Sequence, residues 1–314
     1  MEKQQRKFSD YAGIAGVGVA MGAADVVPGV SGGTMAFILG IYDELLATVK
    51  SFNLDLVKLL LRFRIKDALE HVNWKFLVSL GIGLGGTLVS LAHVITYLLD
   101  HHPVPLFSFF FGLVLASILA VATHVKWNVA MGITCAVGAV AAYKIVRLVP
   151  MNMPNDPLTL FWCAAVAIMA MILPGISGSF LLFILGQYRF VMEAVKKLDV
   201  VTLIPVALGA AIGLMAFSRV LTWLLNRYRR VTITLLVGFM VGSLWKIWPY
   251  RQVLETVEKK PGEIIPISET VIAPPALDGE FWLSLALCVG GFVIITLLDR
   301  LQSKANPLKK IVAE

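Results

Sequence analysis

Six stretches of the chain are apolar for close to twenty residues each, at about 76–99, 106–123, 129–148, 201–225, 231–248 and 281–298. A helix needs roughly 20 apolar residues to cross about 30 Å of hydrocarbon, so each stretch predicts a transmembrane helix. Two further apolar regions are different. One runs from Tyr11 to Val49 and is interrupted by Pro28-Gly29-Val30-Ser31-Gly32-Gly33; the other runs from Thr159 to Val195 and is interrupted by Pro174-Gly175-Ile176-Ser177-Gly178-Ser179. The pieces flanking each break are roughly 13–16 residues, or about 20–24 Å at 1.5 Å per residue, which is short for a crossing. Each region is therefore read as a re-entrant helical hairpin, over 11–49 and 159–195, entering and leaving by one face. Irregular backbone at membrane depth is tolerated only where it is buried in protein or lines a wet cavity, so the two breaks are the most informative positions in the chain.

The breaks align with each other. Pro28 matches Pro174, Gly29 matches Gly175, Ser31 matches Ser177 and Gly32 matches Gly178; downstream, Phe37-Ile38-Leu39-Gly40 matches Phe183-Ile184-Leu185-Gly186, and Tyr42 matches Tyr188. Farther on, His93-Val94-Ile95-Thr96-Tyr97-Leu98-Leu99 resembles Arg219-Val220-Leu221-Thr222-Trp223-Leu224-Leu225, and Gly112 and Ser117 match Gly238 and Ser243. Agreement across three successive elements marks an internal duplication. Its seam is the proline-containing linker near 150–158, which divides the chain into repeats 1–150 and 151–314.

Charge orients the repeats. A re-entrant hairpin followed by three crossings inserts the second repeat upside down relative to the first. With both termini in the cytoplasm, seventeen of the lysines and arginines fall inside and nine outside, with Arg219 left within a span. That is the bias topology rules require. The fold class expected is thus an all-α polytopic membrane protein of two inverted-topology repeats, each a re-entrant hairpin plus three transmembrane helices. The segment 52–73 alternates leucines with Lys58, Arg62, Arg64 and Lys66 and is expected to be an interfacial amphipathic helix. Residues 251–280, with four prolines and six acidic residues, are expected to form an extended outer loop.

Composition agrees with a lipid environment: 58% of residues are hydrophobic, 15% are charged, and the mean hydropathy is +0.82. The net charge of +7 is accounted for by the loops, and no aromatic-plus-basic motif points to nucleic acid. Cys135, Cys163 and Cys288 sit singly in apolar segments and read as buried or lipid-facing thiols. No metal site and no cofactor are expected. The basic N-terminus leads into membrane segments without a cleavage site, so no cleaved signal is expected.

Inverted repeats with broken helices are a transporter signature, with the binding site where the breaks converge. Each break here leads into a helix whose first turn exposes N–H groups and a positive dipole end. Ser31, Thr34, Ser177 and Ser179 add hydroxyl donors, while Gly29, Gly32, Gly33, Gly175 and Gly178 let the backbone approach a ligand closely. Such a cradle suits an anion, and phosphate above all. Arg219, within the fifth span, is the candidate for a permanent positive charge on that phosphate. Its repeat partner His93 and the pre-break Asp25 are candidates for coupling, Asp25 equally for capping a hairpin helix. Asp43, Glu44, Arg189 and Glu193, at the far ends of the hairpins, are expected to be solvated at the interface.

The run from Gly22 to Thr34 through Asp25 and Pro28-Gly29-Val30-Ser31-Gly32-Gly33, followed by Ala36-Phe37-Ile38-Leu39-Gly40-Ile41-Tyr42, resembles the polyprenyl-phosphate transporter family, and Leu173-Pro174-Gly175-Ile176-Ser177-Gly178-Ser179 is similar to that family's second motif. The resemblance covers nearly the whole chain. It implies a bacterial inner-membrane protein that returns undecaprenyl phosphate from the outer to the cytoplasmic leaflet, with that lipid and the surrounding membrane lipids as its partners and no enzymatic activity. Two rivals stand beside it. A carrier of a small anion would use the same cradle. An intramembrane serine protease would use one GxSG serine with a histidine, but here the motif is duplicated and its second copy faces Arg219 rather than a histidine.

Overall fold

The computed structural model describes residues 6–26, 31–123, 125–148, 151, 153–260 and 263–302. Gly29 and the rest of the first break before Ser31 lie outside the described residues, as do Lys3, Lys304, Lys309 and Lys310 of the charge count and the side chain of His93. The chain opens with α1 (Phe8–Val26), the short α2 (Gly32–Ile38) and α3 (Tyr42–Lys50), then α4 (Leu54–Leu61), α5 (Ile65–His71), α6 (Trp74–His101), α7 (Pro103–Ala122) and α8 (Val129–Val146). A similar order returns, without counterparts of α4 and α5, as α9 (Pro157–Ile172), α10 (Gly178–Ile184), α11 (Tyr188–Lys197), α12 (Val200–Arg227) and α13 (Arg229–Ile247). Strands β1 (Arg251–Lys260) and β2 (Glu263–Val271) and helix α14 (Gly279–Gln302) complete it. Among the described residues five helices (α7, α8, α12, α13 and α14) are long and apolar enough to cross a membrane, or seven elements if each bent pair counts as one. The protein is a helical, polytopic membrane protein.

The hairpins differ in detail from the expected two legs of 13–16 residues. Helix α1 has 19 residues, and the return leg is only 7 before it bends by 115° into α3; α10 bends by 113° into α11. The bend has a local cause. Gly40 and Gly186 hold φ of 74° and 75°, which costs a glycine nothing. The N–H of Gly40 bonds the Phe37 carbonyl and that of Ile41 reaches the Ala36 carbonyl; Gly186 and Gln187 do the same to Phe183 and Leu182. This is the glycine-terminated helix stop, with the orphan carbonyls of the last turn satisfied. Two other expectations change. The segment 52–73 is two short helices, parted where Phe63 takes φ of 55°. Residues 251–271 are not an extended loop but a two-stranded antiparallel hairpin, the one β element among the described residues.

Packing gives the two halves equivalent neighbours. Helix α1 packs along α6 as α9 packs along α12, and the third crossing of each half packs on the second crossing of the other, α8 on α13 and α14 on α7. Helices α7 and α13 meet at the centre, each with 56% of its apolar window buried against 11–17% for α8, α12 and α14. The seam at 150–158 is thus not a spatial boundary, because the halves interleave. Their core joins Met35, Phe37 and Ile38 of the first hairpin to Phe110 and Val114 of α7 and Leu236, Val237 and Met240 of α13.

Without a hydrophobic difference between lipid and protein interior, helices associate where small residues let backbones touch. At the α7–α14 crossing a side chain on Gly112 would run into the Cys288 carbonyl, and one on Gly291 into that of Phe109; both obstacles are backbone. The adjacent Gly290 has open space around it. Gly291→Ala is therefore expected to lose about 1–3 kcal/mol of stability by overpacking, while Gly290→Ala stays within about 0.5 kcal/mol of the parent. Thermal unfolding midpoints of the two variants in one detergent check this, and equal midpoints would refute the close-packed crossing.

Candidate functional site

Where α1 ends, the backbone must turn and start again, and the first residues of α2 need partners for their free N–H groups. The chain supplies its own. Asp25 Oδ1 accepts from the Gly32 N–H at 2.7 Å, and the Ser31 hydroxyl oxygen accepts from the Gly33 N–H at 3.2 Å as the N-cap of α2. Ser31 and Thr34 are each only 1% exposed.

The second break lies directly against the first. The Ser31 hydroxyl donates to the Met171 carbonyl at 3.3 Å and the Tyr42 hydroxyl donates to the Ile172 carbonyl at 2.9 Å, so the end of α9 is bonded by side chains from the other half. In return the Gly175 N–H donates to Thr34 Oγ1 at 2.9 Å. Gly175 holds φ of 89° and lies so close to Met240 of α13 that a side chain would meet its backbone at 3.0 Å. The two interruptions, 146 positions apart in the repeat, thus form one hydrogen-bonded junction buried beside α13.

The junction is not symmetric. Asp25 has Met171 as its repeat partner, so the second break has no carboxylate of its own at that position. Ser177 makes no side-chain cap bond on α10, unlike Ser31 on α2. Its hydroxyl lies 2.9 Å from that of Ser179; Ser177 is 7% exposed and Ser179 lies at the exposed edge. Pro174 through Gly178 are buried. The first break's donors are used within the protein, whereas the second presents a pair of hydroxyls bonded to each other at a rim.

Of the residues singled out from sequence, the structure brings together Asp25, Ser31, Gly32, Gly33 and Thr34 with Gly175, and sets Ser177, Gly178 and Ser179 beside them. Arg219 is not gathered in. It sits on an exposed face of α12 with its Nη1 bonded to the Met215 carbonyl at 2.9 Å, while its neighbour Ser218 is fully buried. One residue step is 100° of helix, and that step turns Arg219 outward. His93 belongs to α6, but its side chain lies outside the described residues. Among the described residues no group of His, Cys, Asp and Glu is placed to hold a metal.

Ion pairs not legible from sequence lie at both ends of α13. At its start Arg229 bonds Asp43 at 2.9 Å. Nearby, Arg6 makes two 2.6 Å bonds to the Glu44 carboxylate, which also accepts from Asn73. Asp43 is solvated as well as paired, while Glu44 is half-buried and held by Arg6 and Asn73. At the other end, about 26 Å along a helix of this rise, Lys246 and Arg251 both donate to Glu269 Oε2, at 3.1 and 3.2 Å. Burial raises the Glu269 carboxyl, but the two cations outweigh it and hold the group below its ordinary 4.5. Position in the chain places Lys246 only among the outer cations; the structure sets it between Glu269 of β2 and the ring of Phe180 in α10.

This arrangement defines a class: a polytopic membrane transport protein whose two interrupted helices meet in the protein interior. The particular family follows from comparison. A family model described as undecaprenyl phosphate translocase-like matches residues 21–265, and the chain belongs to that family. A relative from Vibrio cholerae serotype O1 named polyprenyl-phosphate transporter is 39% identical over 301 residues, covering 91% of this chain and 96% of the relative. A second protein of the same name from Staphylococcus aureus is 30% identical over 251 residues, covering 74% and 84%. No solved structure gives a significant match. The relatives are named as transporters, and the chain is a transport protein, not an enzyme.

Asp25 provides a test of the junction. Asn retains an acceptor oxygen for the Gly32 N–H and Ala does not. Asp25→Ala is expected to cost about 1–2 kcal/mol, the range for loss of a helix cap, and Asp25→Asn less than half of that. Unfolding midpoints in detergent read the difference; equal losses would show that the bond to Gly32 contributes nothing.

Proposed function

We propose that this protein carries undecaprenyl phosphate, or a related polyprenyl phosphate, from the outer to the cytoplasmic leaflet of a bacterial inner membrane, with both termini in the cytoplasm. The observation that carries the reading is the junction of the two breaks: interrupted backbone from both halves, bonded together in the interior, with the Ser177–Ser179 hydroxyl pair at its rim. The family and the names of the two relatives support the lipid phosphate as cargo.

In this mechanism repeats 1–150 and 151–314 are inserted with opposite topology, and the equivalent packing of their helices supports that. The phosphate enters at the second break, where Ser177 and Ser179 exchange their mutual bond for bonds to its oxygens and Gly175 and Gly178 allow close approach. The prenyl tail stays in lipid. Ser31, Gly32, Gly33 and Thr34 take the anion after one half rocks against the other and the bonds to Met171 and Gly175 open. Asp25 is the internal anion that occupies the first break until then, and a proton on it, or on His93, would couple the cycle to a pH gradient. Arg219, on the exposed face of α12, serves the anionic lipid surroundings rather than the bound head group.

The test is leaflet-resolved uptake of a polyprenyl phosphate in proteoliposomes. The parent protein is expected to speed movement over protein-free vesicles. The double variant Ser177→Ala/Ser179→Ala should slow it by on the order of ten- to thirty-fold, the loss of two hydrogen bonds of about 1 kcal/mol each. Inorganic phosphate in large excess should compete weakly if the lipid is the cargo and fully if a small anion is. Vesicles that move the lipid no faster than controls would end the proposal, and indifference to an imposed pH gradient would remove the coupling role of Asp25 and His93.

A further inference from the structure

The end of α13 holds a second charged feature that the junction does not use. Lys246 is the last cation of the helix, and Arg251 opens β1. The base of the β-hairpin is tied to the helix end: the Trp248 indole N–H donates to the Ile272 carbonyl at 3.0 Å, and Arg251 Nε donates to the Trp248 carbonyl at 2.9 Å. This folding presses both cations into a niche floored by rings. Lys246 Nζ lies 5.1 Å from the centre of Phe180, Arg251 lies 5.2 Å from that of Phe107, and Phe111 meets Trp248 edge to face. The Lys246 and Arg251 side chains are 17% and 14% exposed.

Among the described residues the charges in this niche do not balance. Two cations share one carboxylate and both bonds land on the same oxygen, Glu269 Oε2. Arg251 Nη2 is buried without a hydrogen-bond partner. Excess positive charge and a free guanidinium donor in a low-dielectric niche attract a further anion, and a guanidinium favours one offering several oxygens in a plane. A phosphate monoester has three acceptor oxygens and carries about −1.5 to −2, more than the carboxylate holding the place. Position gives the niche its use: Phe180, beneath Lys246, lies in the first turn of α10, the helix into which the second break leads, so the niche adjoins that helix.

We propose that Lys246 and Arg251 form a docking site for a phosphate monoester at the entrance to the second break, and that Glu269 is the resident carboxylate the phosphate displaces. The site rests on the reading of the protein as a lipid-phosphate carrier and adds to it the residues that first capture the head group. Phe107, Phe111, Phe180 and Trp248 supply apolar surface for the carbon next to the phosphate.

The test is equilibrium binding of farnesyl monophosphate, and separately of inorganic phosphate, to the purified full chain in detergent at one fixed salt concentration. Glu269→Gln removes the competing charge and is expected to tighten farnesyl monophosphate binding about tenfold, while Arg251→Gln and Lys246→Gln each weaken it by about the same factor, the effect of one charge-assisted hydrogen bond. Lys246→Arg should retain binding. The gain in Glu269→Gln cannot come from a damaged fold, so it keeps the test decisive even if the cation variants unfold. Binding unchanged or weakened in Glu269→Gln, or no binding of either probe, overturns the site; if uptake in proteoliposomes persists, the carrier reading survives it. A Glu269→Gln gain seen with inorganic phosphate in a chain that does not bind farnesyl monophosphate keeps the site and overturns the lipid as its ligand.

Discussion

A helix broken inside hydrocarbon frees N–H and C=O groups that no water can reach, and leaving each unsatisfied costs several kcal/mol. This chain answers that constraint by making its two breaks satisfy each other. Ser31 and Tyr42 bond the carbonyls at the end of α9, and Thr34 takes the N–H of Gly175. The exchange explains why three hydroxyl residues of the first hairpin are buried in an otherwise apolar core. It also explains why the halves cannot be separate bodies: the backbone of one is finished by the side chains of the other.

The exchange also separates the roles of two nearly identical motifs. In the first break the donors are used, Gly32 by Asp25 and Gly33 by Ser31. In the second, Met171 stands where Asp25 would, and the two serine hydroxyls bond each other. Two nearly identical motifs are thus held in unlike states. Ion pairs lie at opposite ends of α13. Asp43–Arg229 and Glu44–Arg6 hold the first hairpin at one end, while Glu269 bridges Lys246 and Arg251 beside the second at the other.

The surrounding helices give the junction a close-packed frame. The crossings are made by backbone approach at glycines such as Gly112 and Gly291, where side chains would separate the helices. Helices α7 and α13 bury their apolar windows at the centre while α8, α12 and α14 turn most of theirs outward. Hydropathy alone does not separate these groups, because an apolar residue suits both lipid and core.

Sequence by itself determined the membrane class and most of the long apolar helices, because long apolar runs have few meanings other than hydrocarbon, and it marked the two Pro-Gly interruptions. The Gly40 and Gly186 helix stops were also present in it, within a repeated Phe-Ile-Leu-Gly whose similarity conceals its function as a turn. Tertiary structure alone decided the rest. That Ser31 and Thr34 bond protein while Ser177 and Ser179 stand at a rim depends on where α9 ends against α2. That Arg219 faces outward depends on one residue's rotation about α12. That Lys246 and Arg251 share a half-buried carboxylate depends on β2 bringing Glu269 to the end of α13. Each is set by contacts between segments distant along the chain, which local pattern does not encode.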